Sequence, residues 1–186
     1  PDAVRRYGNA LLTRLPVLAR DQQALSPLDD SRTVGLLRVE LHGKPINLYA
    51  THLHHTQAGG AIRKQQVADL MAFIAATARG FPSVVAGDFN SAAGSQELGA
   101  LRENFVDTYG SLHAGAHANI SSTLNLHYFE PARIDHVFYQ RSTFKPKSAR
   151  IILNHADAQG IWPSDHYGLQ AELQLIEGNA RGTNPH

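Results

Sequence analysis

Several short apolar runs in this chain begin or end on a carboxylate, an imidazole or an amide. His52 lies near the end of "NLYATHLHH", and Asp88 and Asn90 close "SVVAGDFN". Asp135 opens the apolar part of "RIDHVFYQ", and Asp165 and His166 precede the alternating run "YGLQAELQL". Runs this short, bounded by glycine, read as strands and not as helices. A Gly-Asp at a strand end is commonly just a turn. Asp135 is harder to treat that way, because a buried carboxylate needs a partner to offset its desolvation. A histidine at the end of a neighbouring strand would supply one. The pattern favours a fold that gathers these strand ends, where sites are usually built.

The rest of the chain supplies the scaffold. A strand is expected over Asn9–Val17, followed by a polar connection over Asp21–Ser31. "TVGLLRVEL" and "PINLYATHL" read as two strands joined through "HGKP". In the second, Ile46, Leu48, Ala50 and His52 fall on one face by period-2 alternation. Val67, Leu70, Met71, Ile74 and Ala78 mark the apolar face of a helix over about Ala61–Arg79. "SQELGALREN" suggests a short helix, and residues 109–126 a long surface loop. Further strands are expected at "RIDHVFYQ", "SARIILN" and "HYGLQAELQL". With 186 residues, no repeat and no linker, the chain is expected to form one domain over 1–176 with a polar tail, 177–186. Strands outnumber helices, which predicts a mixed, mainly antiparallel sheet with helical cover.

Composition narrows the chemistry. There is no cysteine, which excludes disulfides and thiolate zinc sites, while eleven histidines supply groups that titrate near neutral pH. The net charge is +1, too mild to argue by itself for nucleic acid or membrane. No window approaches the roughly 18 apolar residues of a membrane helix. Asp and His together suit hydrolysis: a carboxylate holds Mg²⁺, and a histidine beside an orienting carboxylate takes a proton from water. A neutral Asn positions an oxygen without adding charge beside an anionic substrate.

Taken in order, "YGNALLTRLPV", "NLYATHLHH", "RKQQ", "VVAGDFNS", "FVDTYG", "ARIDHVFY" and "SDHYGLQAEL" resemble the endonuclease/exonuclease/phosphatase superfamily, the group of DNase I. The resemblance runs from Tyr7 to about Leu175. It implies an α/β fold of the DNase I-like kind: a four-layer sandwich of two mixed, mainly antiparallel sheets flanked by helices. It also implies a Mg²⁺-dependent (or Mn²⁺-dependent) phosphoesterase acting on a phosphodiester or phosphomonoester. Asp165 would be a metal ligand, and His166 the general base, oriented by Asp135. His52 would bond a non-bridging phosphate oxygen, and Asp88 and Asn90 would orient nucleophile and phosphate. The family also allows the Asp of "GDFN" to take the proton. The substrate stays open among nucleic acid, a phospholipid head group and a sugar phosphate.

The chain departs from the family at its start. Members normally begin with an Asn-bearing strand, a helix and a strand ending in "QE", whose Glu is a principal metal ligand. This sequence opens at the strand that normally follows. The domain is therefore expected to be N-terminally incomplete, with weakened metal binding. A non-catalytic binding or structural piece is the alternative. A minor one comes from "THLHHTQAGG", which resembles the zinc motif of the metallo-β-lactamase fold but has Thr56 and Gln57 where that motif has Asp and His. Arg141, Lys145, Lys147 and Arg150, with Arg5 and Arg6, are the modest basic stretches; for the first four a solvated strand face is the ordinary reading. Trp162, beside "SDH", could stack on a base, touch a lipid or sugar, or belong to the core.

Overall fold

A two-residue turn at His42–Gly43 sets the first strand pairing. Both residues have positive φ, 51° and 76°, as hairpin loops with strand-matched twist require. The turn joins β2 (Thr33–Leu41) to β3 (Lys44–His52), with Leu41 opposite Lys44 and Val34 opposite Thr51. The structure is a computed structural model that describes residues 8–116 and 118–176. The expected tail 177–186, Arg5 and Arg6 lie outside them.

The strand expected over Asn9–Val17 is displaced. It is β1 (Val17–Ala24), which pairs antiparallel with β2 at the edge of the sheet. Nearly every β1 residue is exposed, so no apolar alternation marks it, and backbone pairing alone defines it. Helix α1 (Gly60–Thr77) then carries the chain over to β4 (Ser83–Asp88), which lies parallel to β3. The short helix α2 (Gly99–Asn104) leads into β5 (Phe105–Asp107), and α3 (Thr108–Leu112) and α4 (Ala118–Ser121) follow. Strand β6 (Asp135–Gln140) returns antiparallel to β4 and completes a six-stranded mixed sheet in the order β1-β2-β3-β4-β6-β5. Strands β7 (Phe144–Ile152) and β8 (Gly168–Leu175) form a separate antiparallel sheet.

Alternation along the central strands divides the core between the two faces of the large sheet. Val34, Leu36, Tyr49, Val85 and Phe138 pack with Val67, Leu70, Phe73 and Ile74 of α1. Val39, Ile46 and Tyr139 face the other way and pack with Phe144, Leu173 and Leu175 of the second sheet. Helix α3 lies against β7, where His113 Nε2 donates to Ala149 O at 2.8 Å. Helix, mixed sheet, antiparallel sheet and helix therefore follow one another, as the DNase I-like expectation holds.

Two local expectations shift. The buried stripe of α1 runs through Arg63, Gln66, Val67, Leu70, Phe73 and Ile74, and Met71 and Ala78 are only partly buried. Polar Arg63 and Gln66 share that stripe because they bond the loop after β3: Arg63 Nη1 donates to His54 O and Thr56 O, and Gln66 Oε1 accepts from His54 N. Residues 109–126 are not a simple surface loop. Besides two short helices they hold Ser122, Thr123 and Asn125, all at most 1% exposed. Among the described residues no helix is long and apolar enough to cross a membrane.

Candidate active site

Strand register brings three of the expected residues together. His52 pairs with Asp88 across β3 and β4, and Asp88 pairs with Asp135 across β4 and β6. The approach of β4 to β3 depends on Gly87, whose φ is 145° and whose added Cβ would meet Thr51 O at 1.9 Å. Beyond β4 the chain turns through Asn90 at φ 48°. The Asp88 carboxylate stabilises that turn by accepting from Asn90 N at 2.8 Å, while Asn90 Nδ2 donates to Leu53 O at 3.0 Å. Asn90 thus links the ends of β3 and β4.

His166 arrives from the loop before β8. Its Nδ1 lies 2.8 Å from Asp135 Oδ2, so Nδ1–H donates to the carboxylate and Nε2 is left as the acceptor. One oxygen each from Asp88 and Asp135 and one His166 nitrogen lie within 4.8 Å of one another; this trio is the group of potential cation ligands among the described residues. Asp165 is exposed and outside the trio, its Oδ1 accepting from Ser164 Oγ at 3.2 Å.

A segment with no motif character holds this loop in place. Thr123 Oγ1 accepts from the backbone N–H groups of Ile134 and Asp135, both at 3.1 Å, and Thr123 O accepts from Tyr167 N at 2.7 Å. Asn125 is fully buried. Its N–H donates to Asp165 O and its Nδ2 to Ser164 O, both at 3.0 Å, and its Oδ1 accepts from Tyr167 O–H at 3.1 Å. Thr123 and Asn125 therefore set the distance between the loop bearing His166 and the strand bearing Asp135. Neither stands out in the sequence, because a Ser/Thr/Asn cluster ordinarily reads as loop.

The site is electrostatically uneven. Burial, reinforced by the Arg32 guanidinium, holds His52 down to about 4. Its Nε2 contact with Asp88 Oδ2 at 3.2 Å is therefore a neutral imidazole facing a carboxylate, not an ion pair, at neutral pH. Burial, then the charge of Asp135, lifts Asp88 to about 6. The hydrogen bond to Asp135 raises His166 above its ordinary value, against the opposing effect of burial. Arg32 is 7% exposed, with Nη2 3.3 Å from His55 Nδ1. It is a second contributor that no sequence pattern singled out.

Two other described histidines are engaged elsewhere in the protein. His136, next to Asp135, points into the core at 1% exposure, where Nε2 donates to Ser91 O at 2.9 Å and Nδ1 accepts from Arg133. His54 Nδ1 is held by Asp30 at 2.9 Å and its Nε2 by Thr56 Oγ1 at 2.7 Å. Both nitrogens of one histidine in the zinc-like motif are thus engaged within the protein, and His54 is not part of the cation-ligand trio. The basic side chains of Arg141, Lys145, Lys147 and Arg150 are exposed; Lys145, Lys147 and Arg150 lie along β7.

The sequence profile of the Endonuclease/Exonuclease/phosphatase family matches residues 1–166. A comparison with curated protein sequences gives no match. Among solved structures, D. rerio TDP2 humanized by 14 mutations superposes with a TM-score of 0.73 at 18% identity, covering 87% of this chain and 68% of that one. The human Nocturnin catalytic domain with bound sulfate gives 0.70 at 20% identity, covering 88% of this chain and 60% of that one. A Bacteroides vulgatus endonuclease/exonuclease/phosphatase gives 0.69 at 22%, with 86% and 66% covered. At these identities the likeness is one of fold, and the chain spans about two thirds of the length of the structures it matches.

Proposed function

The chain belongs to the endonuclease/exonuclease/phosphatase family, whose members are phosphoesterase hydrolases, and on that premise we propose that it hydrolyses a phosphate ester with water activated by His166. The observation that carries this reading is the 2.8 Å contact of His166 Nδ1 with Asp135 Oδ2. It orients the imidazole, makes it more basic and leaves Nε2 to take the proton of the attacking water. Neutral His52, whose Nε2 faces Asp88 Oδ2 at 3.2 Å, would share its one N–H with a phosphate oxygen and stay uncharged near neutral pH. Asn90, tied to Asp88 and to β3, keeps the phosphate and the nucleophile in line.

The donor set fits a hard divalent cation. Asp88 and Asp135 stand close enough that burial and mutual repulsion lift Asp88 to about 6, and a cation relieves both effects. Oxygen ligands of this kind suit Mg²⁺ or Mn²⁺. Asp88 and Asp135, the carboxylates of the cation-ligand trio, would hold it, and Asp165, which lies outside the trio on the loop that carries His166, is the further ligand we assign. When bound, the cation stabilises negative charge on the phosphoryl and leaving oxygens.

Hydrolysis of bis-p-nitrophenyl phosphate with added Mg²⁺ tests the reading. We expect His166→Ala and Asp135→Asn to lower kcat by about 10²- to 10⁴-fold, the usual range for general-base catalysis. Activity that survives His166→Ala but is lost in an Asp88→Asn variant that still binds Mn²⁺ would transfer the base to Asp88, whose raised value favours that second assignment. A folded wild-type protein inert with Mg²⁺ and with Mn²⁺ would favour a binding role.

A further inference from the structure

The two loops beside His166 carry a row of aromatic rings that the hydrolytic chemistry leaves unused. Phe129 and Tyr128 lie 6.4 Å apart, Tyr128 and His127 4.7 Å apart, and His127 and Trp162 5.9 Å apart at an interplanar angle of 26°. Trp162 lies 6.0 Å from Tyr167, the residue that follows His166. The row thus begins one residue along the chain from His166, and Leu124, at the start of the first loop, pairs with His166 through the backbone. Its far end stands in solvent, with Tyr128 54% and Phe129 45% exposed. Rings of this size are ordinarily buried, and a contiguous exposed group of them marks a contact surface.

The row is also held in shape. Asp157 Oδ1 accepts from the N–H groups of Gln159 and Ile161, and Asp157 N donates to Ile161 O, closing the turn just before Trp162. Tyr167 O–H is fixed on buried Asn125. A surface already ordered loses little entropy when a flat partner settles on it.

Charge selects among the partners. Residues 124–132 and 154–167 contain Glu130, Asp157 and Asp165 and no Lys or Arg. Arg133, next along the chain, is turned onto Asp107 at 2.7 Å and over the Tyr109 ring. A surface that tracks a phosphate backbone or an anionic bilayer needs cations, and these loops supply none. What fits is a single planar ring attached to the phosphate ester that the site would cleave.

Resting on the phosphoesterase reading, we propose that the substrate is a small phosphate ester bearing a base-like ring, which stacks on the shelf formed by the near-parallel rings of His127 and Trp162, with Tyr128 edge-on beside them. The shelf selects by stacking and by contact with the polar ring edges, and the hydrolytic groups act on the ester beside it.

Trp162 is the single tryptophan, so its fluorescence reports the shelf directly. The protein is titrated in EDTA, where no turnover occurs, with adenosine monophosphate, excited where adenine does not absorb. We expect saturable quenching, none with ribose phosphate, and binding weakened about five-fold or more in Tyr128→Ala and in His127→Ala, the lower end of what one stacked base contributes. Equal quenching by ribose phosphate, no saturable quenching by the nucleotide, or unchanged affinity in both folded variants overturns the proposal. So does a blue shift with phosphatidylcholine vesicles while the nucleotide is inert, which makes the row a bilayer contact. A DNA duplex binding tighter than the nucleotide overturns the small-ester assignment. Bis-p-nitrophenyl phosphate hydrolysis in the same preparations separates the two readings: quenching without hydrolysis sinks the phosphoesterase, and hydrolysis without quenching sinks the shelf.

Discussion

His52 and Asp88 have shifts of opposite sense, and their titrations oppose one another in the folded protein. Burial takes His52 down to about 4 and Asp88 up to about 6. In the unfolded chain the two titrate near their ordinary values, about 6.5 and 3.9. Between roughly pH 4 and 6 the native protein holds a proton on Asp88 that the unfolded chain lacks. Over roughly pH 4 to 6.5 the unfolded chain holds one on His52 that the native protein lacks. The first favours folding as pH falls, and the second opposes it. Asp88→Asn removes the first alone. In EDTA, urea unfolding should show this variant losing stability between about pH 6.5 and 4, with a limit of about 1.4 kcal/mol per pH unit. The wild type should be flatter there, and equal slopes would contradict the two shifts. Gly87 gives a steric test one residue away. A methyl group there would strike Thr51 O in a backbone conformation that side chains rarely adopt, so Gly87→Ala should cost about 3 kcal/mol or more in urea unfolding.

At the scale of elements, what matters is how strands and loops meet. Alternation made β2, β3 and β8 legible, because one face of each meets a core. It could not reveal β1, which is exposed along almost its whole length and owes its place to pairing with β2. Nor could it reveal the segment Thr123–Asn125, whose polar side chains are buried only because the loop before β8 and the start of β6 bond to them. On the proposed hydrolysis, Asn125 is accordingly a positioning residue. Asn125→Ala should lower kcat about 10- to 100-fold with KM little changed, since a misplaced catalytic group loses rate before it loses binding. Steady-state kinetics with a parallel melting curve separates this from unfolding. A rise in KM at unchanged kcat would assign Asn125 to substrate binding instead.

Across the whole molecule the two cores are unequal. The one beneath α1 contains fully buried Leu70, Val85, Phe89 and Phe138, whereas Leu37, Leu48, Leu173 and Leu175 in the other are only partly buried. Local opening follows such differences. Amide exchange should therefore be faster in β7 and β8 than in β3, β4 and β6. Phe138→Ala should cost about 3–5 kcal/mol and Leu173→Ala markedly less. Uniform protection would mean that the second sheet opens only with global unfolding. His52, Asp88, Asn90, Asp135, Asp165 and His166 could be singled out as candidates from the sequence, because polar side chains of catalytic types at the ends of apolar runs break the local pattern. Their order along the chain pointed to the family. Only the tertiary structure decided which of them meet: parallel β3–β4 and antiparallel β4–β6 pairing line up His52, Asp88 and Asp135, and buried Asn125 brings in His166. Periodicity records which side of an element is buried, but long-range pairing and buried polar contacts depend on partners distant in the chain, and no local pattern encodes them.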